Sequence, residues 1–490
     1  MHDLRDEEGF TGRPPAMPGE ALRGRHVVIL GLARQGVALA RFLAERGARV
    51  AVSDIKDASL LDDQLTELAD LPIQYELGEH PVCLLDGADL LCLSGGVPLD
   101  IPIVEEARSR GIPLSNDAQI FLERCPAPVI AITGSAGKTT TSALLGEMCR
   151  AAGLRTWVGG NIGNPLISDL EAIRSTDYVI MELSSFQLAL MSTSPHVAAV
   201  LNITPNHLDR HGTMEDYIAA KRNIVAHQSH DDVAVLGYDD ANARALALDT
   251  SARLYFFSGG AEVDAGAFKT NGELTLRMNG DAREIRERVD REICQVAQVQ
   301  LLGDHNLLNV LAASTLAGVV GVPIEAIKQV VTTFSGVEHR LEWVRDFRGA
   351  RWYDDSIATA PDRALAAVRS FDGPVILLAG GRDKDLPWEE LAQEIFQRVR
   401  ELIAFGEAGP MIADLVRGAK ATANGSGMLE EVSVVATLEQ AVDVAAQAAR
   451  PGDAVLLSPG GTSFDAFKDF AERGERFKTL VRSLQEPDTR

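Results

Sequence analysis

Basic residues are in short supply. Against 70 Asp and Glu the chain carries only 47 Lys and Arg, a net charge of −23 over 490 residues. Nucleic acid and anionic membranes both need basic surface, so the deficit argues against either partner. It leaves an anionic small substrate open, because that needs only a local basic pocket. Cysteine is also scarce: Cys83, Cys92, Cys125, Cys149 and Cys294 show no paired metal spacing. Most sit in apolar periodic segments and read as free thiols of a reducing, cytoplasmic compartment. No apolar run approaches the ~20 residues of a membrane-spanning helix. Residues 1–25 are polar, with prolines and glycines, and lack the apolar core of a signal segment. They read as a disordered extension.

Apolar residues are plentiful, at 46%. That suffices for real cores, and the length suits about three domains at ~150 residues each. Strand and helix patterns alternate throughout, which predicts an α/β fold with mainly parallel sheets. Residues 26–120 open with HVVILGLARQGVALARFLAERGARVAVSDIK, a strand, turn, helix and second strand. The turn holds Gly31, Ala33 and Gly36, a dinucleotide fingerprint whose middle glycine is alanine. Asp54 stands where an acid binds a ribose. A Rossmann-like, nucleotide-binding domain is expected, with a ligand-free β–α–β unit as the alternative. A central P-loop domain is expected over 121–336, with the charge-rich stretch 231–292 as small strands inserted late in it. A third doubly wound domain is expected over 337–490.

The densest chemistry lies in APVIAITGSAGKTTT, residues 127–141. An apolar strand passes through a glycine-rich turn into a helix that begins at Lys138. Such a corner binds anions: glycines let backbone N–H groups converge on a phosphate, the helix dipole adds partial positive charge, and the lysine adds a full one. Thr139, after the lysine, can reach Mg²⁺. The usual first glycine of the P-loop is missing, with Ile132 in its place. The motif is the shorter G-x-x-G-K-T, which the commonest NTPases do not share.

Two further strands end in polar clusters. DYVIMELSSFQL runs out of apolar residues at Glu182, a carboxylate placed to hold Mg²⁺ beside a P-loop. NITPNHLDRHG packs Asn206, His207, Asp209, Arg210 and His211 into one turn. His207 could ligate a second metal or orient a phosphate. Tyr217 and Lys221 share a helical face at i, i+4, and from the residues alone Lys221 is a solvated lysine. In GDHNLLN, Asn306 and Asn309 share a face suited to reading a purine, or to capping the helix.

Together GSAGKTTT, GGNIGNP, ELSSFQL, NITPNHLDRH, GDHNLLN, EHRLE, DDSIATAP and LLSPGGTSFDAFKDF resemble the Mur ligases in order and spacing, over nearly the whole chain beyond residue 25. Within that resemblance, ELSSFQL and LSPGGTSFDAF imply addition of D-glutamate to UDP-N-acetylmuramoyl-L-alanine. The resemblance implies an ATP- and Mg²⁺-dependent ligase of cytoplasmic peptidoglycan precursor synthesis, a monomer, acting through an acyl phosphate. Ser135, Ala136, Gly137, Lys138, Thr139, Thr140 and Thr141 then cradle ATP, with Asn309, Arg340 and Asp355 as further nucleotide contacts. Thr139, Glu182, His207 and a carbamylated Lys221 hold magnesium. Lys138, Glu182, His207 and Lys221 are the catalytic set. Gly31, Gly36 and Asp54 face the uridine diphosphate, and Asn161 and His207 the muramoyl-alanine part. Thr359, Lys384, Ser463 and Phe470 form the glutamate pocket. Two positions depart from the family: Ala136 replaces the usual asparagine, and Ile357 replaces a lysine expected to meet glutamate. Addition of L-glutamate or another amino acid is therefore the alternative, with a nucleotide-binding regulator that has lost catalysis as a second one. Joint retention of Lys138, Glu182, His207 and Lys221 argues against the regulator.

Overall fold

The computed structural model describes residues 22–161, 165–206, 208–279, 288–301, 303–371, 373–384, 386–422 and 427–485. After Phe334 the chain divides into two compact units.

The first unit holds two sheets. His26–Leu30 (β1), Arg49–Asp54 (β2), Ile73–Leu77 (β3), Leu90–Leu93 (β4) and Leu114–Ser115 (β5) pair in parallel in the order β3-β2-β1-β4-β5. Such an order leaves a crevice at the carboxyl ends of β1 and β4, where the direction of winding reverses. Both strands are buried on both faces, so they read as near-continuous apolar runs. Residues 22–25, assigned from the sequence to the extension, are part of this layer. Leu22 is buried, and the Gly24 amide donates to the Gly47 carbonyl at 2.8 Å. Residues 1–21 lie outside the described residues.

The second sheet comprises Val129–Thr133 (β6), Thr156–Gly160 (β7), Tyr178–Glu182 (β8), Val197–Val200 (β9), Val233–Gly237 (β10), Arg253–Ser258 (β11), Gly266–Thr270 (β12), Glu273–Asn279 (β13) and Arg288–Gln295 (β14). Its order is β14-β13-β12-β11-β10-β9-β6-β8-β7, antiparallel only at β12–β13 and β13–β14. The stretch 231–292 is therefore not an insertion of small strands, as the sequence suggested. β10 and β11 continue the parallel sheet in register with β9, and β12 to β14 extend its edge. Charged residues cluster towards the antiparallel edge, whereas β10 is buried throughout. Helices Lys138–Ala151 and Asp304–Val319 share one core on a face of this sheet, built on Leu144, Leu145, Met148, Val310, Leu311 and Leu316.

In the second unit Glu342–Phe347 (β15), Ala350–Asp354 (β16), Val375–Gly380 (β17), Val399–Phe405 (β18), Glu431–Val435 (β19) and Ala454–Gly460 (β20) order as β15-β16-β20-β17-β18-β19. Only β15–β16, a hairpin, is antiparallel. Two apolar clusters cover the faces of this sheet, and helix Phe470–Ser483 closes one of them through Phe477 and Val481.

Candidate active site

β9, β6 and β8 are neighbours, so the segments leaving their carboxyl ends meet. β6 is buried throughout and stops at Thr133; Gly134 to Gly137 form the turn, and Gly137 adopts φ +86°, open without strain only to glycine. A side chain there would also strike Asn309, whose Oδ1 lies 2.1 Å from an added Cβ. The Lys138 ammonium curls back to the Gly134 carbonyl at 2.9 Å. The Thr139 hydroxyl donates to Glu182 Oε2 at 3.0 Å, and Asn161 Nδ2 donates to Oε1 at 3.3 Å. The Glu182 side chain is buried. A hydroxyl and a carboxylate this close make a pair of hard oxygen donors, which fits Mg²⁺.

Lys221 is not the solvated lysine its helix suggested. It is 1% exposed, with Nζ 3.2 Å from Thr133 Oγ1 and 4.9 Å from the centre of the Tyr217 ring. Burial above all, then the Lys138 charge, pulls its pKa well below that of a normal lysine, and Glu182 opposes them only in part. A lysine whose proton is held less tightly than usual thus lies within reach of the charge of a metal-suited carboxylate. Tyr217 is equally buried, and its hydroxyl is 3.0 Å from Ser135 Oγ. The face shared by Tyr217 and Lys221 is the inward one. His211 fills the space outside Tyr217, stacked on Phe186 and bonded to the Ser185 hydroxyl at 2.9 Å. His207, expected to ligate metal and meet substrate, lies outside the described residues.

Asn306 and Asn309 do not present two amides to a ligand. Asn309 Nδ2 donates to Asn306 Oδ1 at 3.1 Å, and Asn309 is buried with its Oδ1 toward the Thr141 hydroxyl, 3.4 Å away. Thr141 is itself fully buried, and Thr140 is half-buried. Sequence reasoning also missed two residues. Thr133 accepts from Lys221 and donates to the Leu183 carbonyl at 2.8 Å. Asn202, just past β9, holds Ala136 by both backbone groups.

In the first sheet Gly31 has φ +88°, and a Cβ on Gly36 would lie 2.0 Å from the Gly31 carbonyl oxygen, so helix and turn approach as only glycine allows. Both Asp54 oxygens already accept backbone amides, Leu32 at 2.6 Å and Lys56 at 2.9 Å. Asp54 thereby braces the turn. Arg34, from the same turn, reaches the Asn161 carbonyl at 3.4 Å and so touches the residue beside Glu182.

In the second unit the loops after β16, β20 and β17 are bonded to one another. The Gly460 amide donates to Ala358, and Arg382 and Thr462 exchange backbone bonds at 2.9 and 2.8 Å. Arg473, fully buried, joins the first two loops through Ser356 and the Gly461 carbonyl. Burial lowers its pKa to about 10, which still leaves it charged. Thr359, Lys384, Ser463 and Phe470 all sit on or beside these loops. Thr359 and Phe470 are half-buried, Ser463 is buried and Lys384 is exposed. Asp355 is buried with Ser458 Oγ at 2.7 Å and the Leu341 amide at 3.2 Å, while Arg340 is exposed. Ile357 is half-buried, its amide donating to the His339 carbonyl.

Three family models match the chain: the Mur ligase MurD-like N-terminal domain over residues 25–116, the Mur ligase middle domain over 132–317, and the Mur ligase glutamate ligase domain over 339–461. Curated relatives named UDP-N-acetylmuramoylalanine–D-glutamate ligase are similar end to end. That of Symbiobacterium thermophilum is 42% identical, covering 96% of this chain and 100% of its own. That of Acetivibrio thermocellus is 39% identical (95% and 97%), and that of Geotalea uraniireducens 41% (95% and 99%). Among solved structures, UDP-N-acetylmuramate–alanine ligase MurC from Thermotoga maritima has a TM-score of 0.51 at 19% identity, covering 94% of this chain and 99% of its own. The UDP-N-acetylmuramoylalanyl-D-glutamyl-2,6-diaminopimelate–D-alanyl-D-alanyl ligase of Acinetobacter baumannii has 0.52 at 18%, covering 93% of each. These two show a shared fold, three α/β domains with mainly parallel sheets. With identity of this order along nearly its full length, the chain belongs to the Mur ligase family.

Proposed function

We propose that the protein is the ATP-dependent ligase that joins D-glutamate to UDP-N-acetylmuramoyl-L-alanine in cytoplasmic peptidoglycan precursor synthesis. The similarity to D-glutamate ligases names the substrates. The observation that carries the chemistry is the meeting of Lys138, Thr139, Glu182 and Lys221 at the carboxyl ends of β6 and β8. A carboxylate is a poor electrophile, and ATP converts it to an acyl phosphate, which the glutamate amine then attacks to release phosphate. The first step brings two anions together. Lys138 offsets part of their repulsion, and the amides that open helix Lys138–Ala151 stabilise the phosphates.

Thr139, Glu182, His207 and Lys221 are assigned to Mg²⁺, which when bound neutralises phosphate charge. Lys221 fits only as a carbamate, a reading its burial and lowered pKa support: CO₂ adds to an amine, not to an ammonium, and the product is a carboxylate-like ligand. Asn161 holds Glu182 and marks the muramoyl-alanine side. Arg340 and Asp355 are assigned to the nucleotide, and Thr359, Lys384, Ser463 and Phe470 to glutamate. Ile357 leaves Lys384 as the cation of that set, which is the reason to test stereochemistry directly. Purified enzyme is supplied with ATP, Mg²⁺ and UDP-N-acetylmuramoyl-L-alanine, with D- or L-glutamate. ADP release and a product one glutamate heavier are expected with the D form. Turnover with L-glutamate alone changes the amino acid, and no turnover with either refutes the ligase.

A further inference from the structure

A loop that binds phosphate through backbone N–H groups gains most when its peptide planes are fixed before the phosphate arrives. The strand and the helix fix the two ends of residues 134–137. The middle, Ser135 and Ala136, is held by something else. Gly134 presses on the continuation of β9, and a Cβ there would lie 3.0 Å from Leu201 Cβ. The Ser135 amide donates to the Asn202 carbonyl at 3.0 Å, and the Ser135 hydroxyl exchanges bonds with the Thr204 backbone at 2.9 and 3.0 Å. Ala136 has no polar side chain of its own. Its amide donates to Asn202 Oδ1 at 2.9 Å, and its carbonyl accepts from Asn202 Nδ2 at 3.2 Å. One side-chain amide closes a ring on both backbone groups of one residue.

We propose that Asn202 is a positioning residue of the phosphate loop, its side chain standing in for a neighbouring strand and holding the Ser135–Ala136 arm in binding geometry. The inference rests on the nucleotide-binding reading of this loop. It has a definite consequence. The Ser135 and Ala136 amides are already spent on Asn202, and the Thr141 amide on the Gly137 carbonyl. The amides of Gly137, Lys138, Thr139 and Thr140, the ones an α-helix leaves without intrahelical partners at its start, are then the phosphate donors. Asn202 acts from behind the loop and touches no phosphate.

The same geometry demands a neutral amide. A carboxylate at position 202 keeps the acceptor for the Ala136 amide, loses the donor to its carbonyl, and sets a negative charge behind a phosphate site. A purely structural role ranks Asn202→Asp, the closer isostere, above Asn202→Ala. A positioning role for an anion site ranks them the other way.

The test compares wild type, Asn202→Ala and Asn202→Asp at pH 8. It measures calorimetric Kd for ATP with Mg²⁺, KM for ATP and for UDP-N-acetylmuramoyl-L-alanine, and melting temperature. About a tenfold weaker Kd for ATP is expected for Asn202→Ala, the scale of one or two net hydrogen bonds, and a larger loss for Asn202→Asp. KM for the UDP substrate should stay within about twofold, a factor worth less than a single net hydrogen bond. Unchanged ATP binding in Asn202→Ala overturns the proposal. So does a uniform loss for both substrates that follows a fall in melting temperature, with Asp the milder change. Failure of the wild type to bind ATP refutes the function instead, so the two failures are distinguishable.

Discussion

Lys221 shows how one residue's environment can reverse its ordinary chemistry. A lysine on a solvated helix face is a cation at neutral pH and repels Mg²⁺. Inside the first unit, burial and then the Lys138 charge lower the Lys221 pKa well below the usual lysine value, and the attraction of Glu182 offsets them only in part. The sign matters for the experiment. A depressed pKa means that more free amine is present at pH 7 to 8 than in an exposed lysine, which is the form that CO₂ would carbamylate on the proposed reading. Enzyme depleted of CO₂ at mildly acidic pH and assayed in degassed buffer should lose activity, and bicarbonate should restore it. A ¹³C resonance from labelled bicarbonate should appear in the wild type and be missing from Lys221→Ala, whose turnover should fall by roughly a hundredfold or more, the scale of losing an electrostatic group at the reacting centre. Activity of Lys221→Ala near the wild-type level excludes the carbamate. Thr133, which meets the lysine at 3.2 Å, orients the amine.

Among the elements, helix Phe470–Ser483 organises the loops of the second unit. Arg473 joins Ser356 to Gly461, and Lys478 lies among Glu338, Glu342 and Glu475, between 2.7 and 3.2 Å from each. Between them Gly474 lets the helix backbone press on a buried pair, His339 and Asp354, which are 2.8 Å apart. Burial is the largest single effect on His339 and lowers its pKa, but the hydrogen bond and charge of Asp354, with Glu338, together outweigh it and the net shift is upward. Two effects oppose each other in Gly474→Ala. Helix propensity favours alanine by about 1 kcal/mol. Against it, the new Cβ would lie 2.2 Å from His339 Nδ1 and 2.7 Å from Asp354 Oδ2. Neither atom is the end of a free chain, so overlap wins, and a loss of about 1–3 kcal/mol is expected in urea unfolding of this unit. Since the His339 carbonyl receives the Ile357 amide, KM for glutamate should rise as well. A stabilised variant with unchanged KM would show that the pair can step aside. None of this was legible in the sequence, where Gly474 is an unfavourable residue inside a helix. The strand–turn–helix of the phosphate loop was legible because its signals are contiguous: β-branched residues, then glycines, then a helix former pattern. Asn202, Thr133 and the inward side of Lys221 were not. Their meaning depends on β9 lying beside β6, a non-sequential order in the sheet that fixes contacts 66 and 88 residues apart. The parallel course of β10 and β11 was hidden in the same way, because local charge says little about which strand is the neighbour.

At the scale of the whole molecule, each of the two units has its own core and its own buried carboxyl of unusual pKa. In the first unit Asp117 is pushed up to about 6, chiefly by burial and only partly offset by Gln187 and backbone amides. In the second, burial pushes Asp355 up to about 7 against the bond from Ser458. Both rise from an ordinary 3.8, so the folded state holds these protons more tightly than the unfolded chain does. Their contribution to stability is complete below pH 3.8 and is lost as the pH rises through about 6 for Asp117 and about 7 for Asp355. The net charge of −23 also destabilises the fold at high pH by self-repulsion, so a falling melting temperature by itself proves nothing. The amide variants separate the two effects. Asp355→Asn copies the protonated side chain: Oδ1 still accepts from Leu341, and Nδ2 can donate to Ser458. It removes one titration and alters the net charge by a single unit. Calorimetry at pH 5 and pH 8.5 should give two transitions, one per unit. At pH 5 each variant should melt close to wild type. At pH 8.5 Asp117→Asn should raise only the first unit's transition and Asp355→Asn only the second's, on the order of 3 °C or more for units of this size. A general relief of repulsion would shift both transitions together in either variant, and a gap that does not widen with pH would mean that the carboxyls stay ionised in the folded protein.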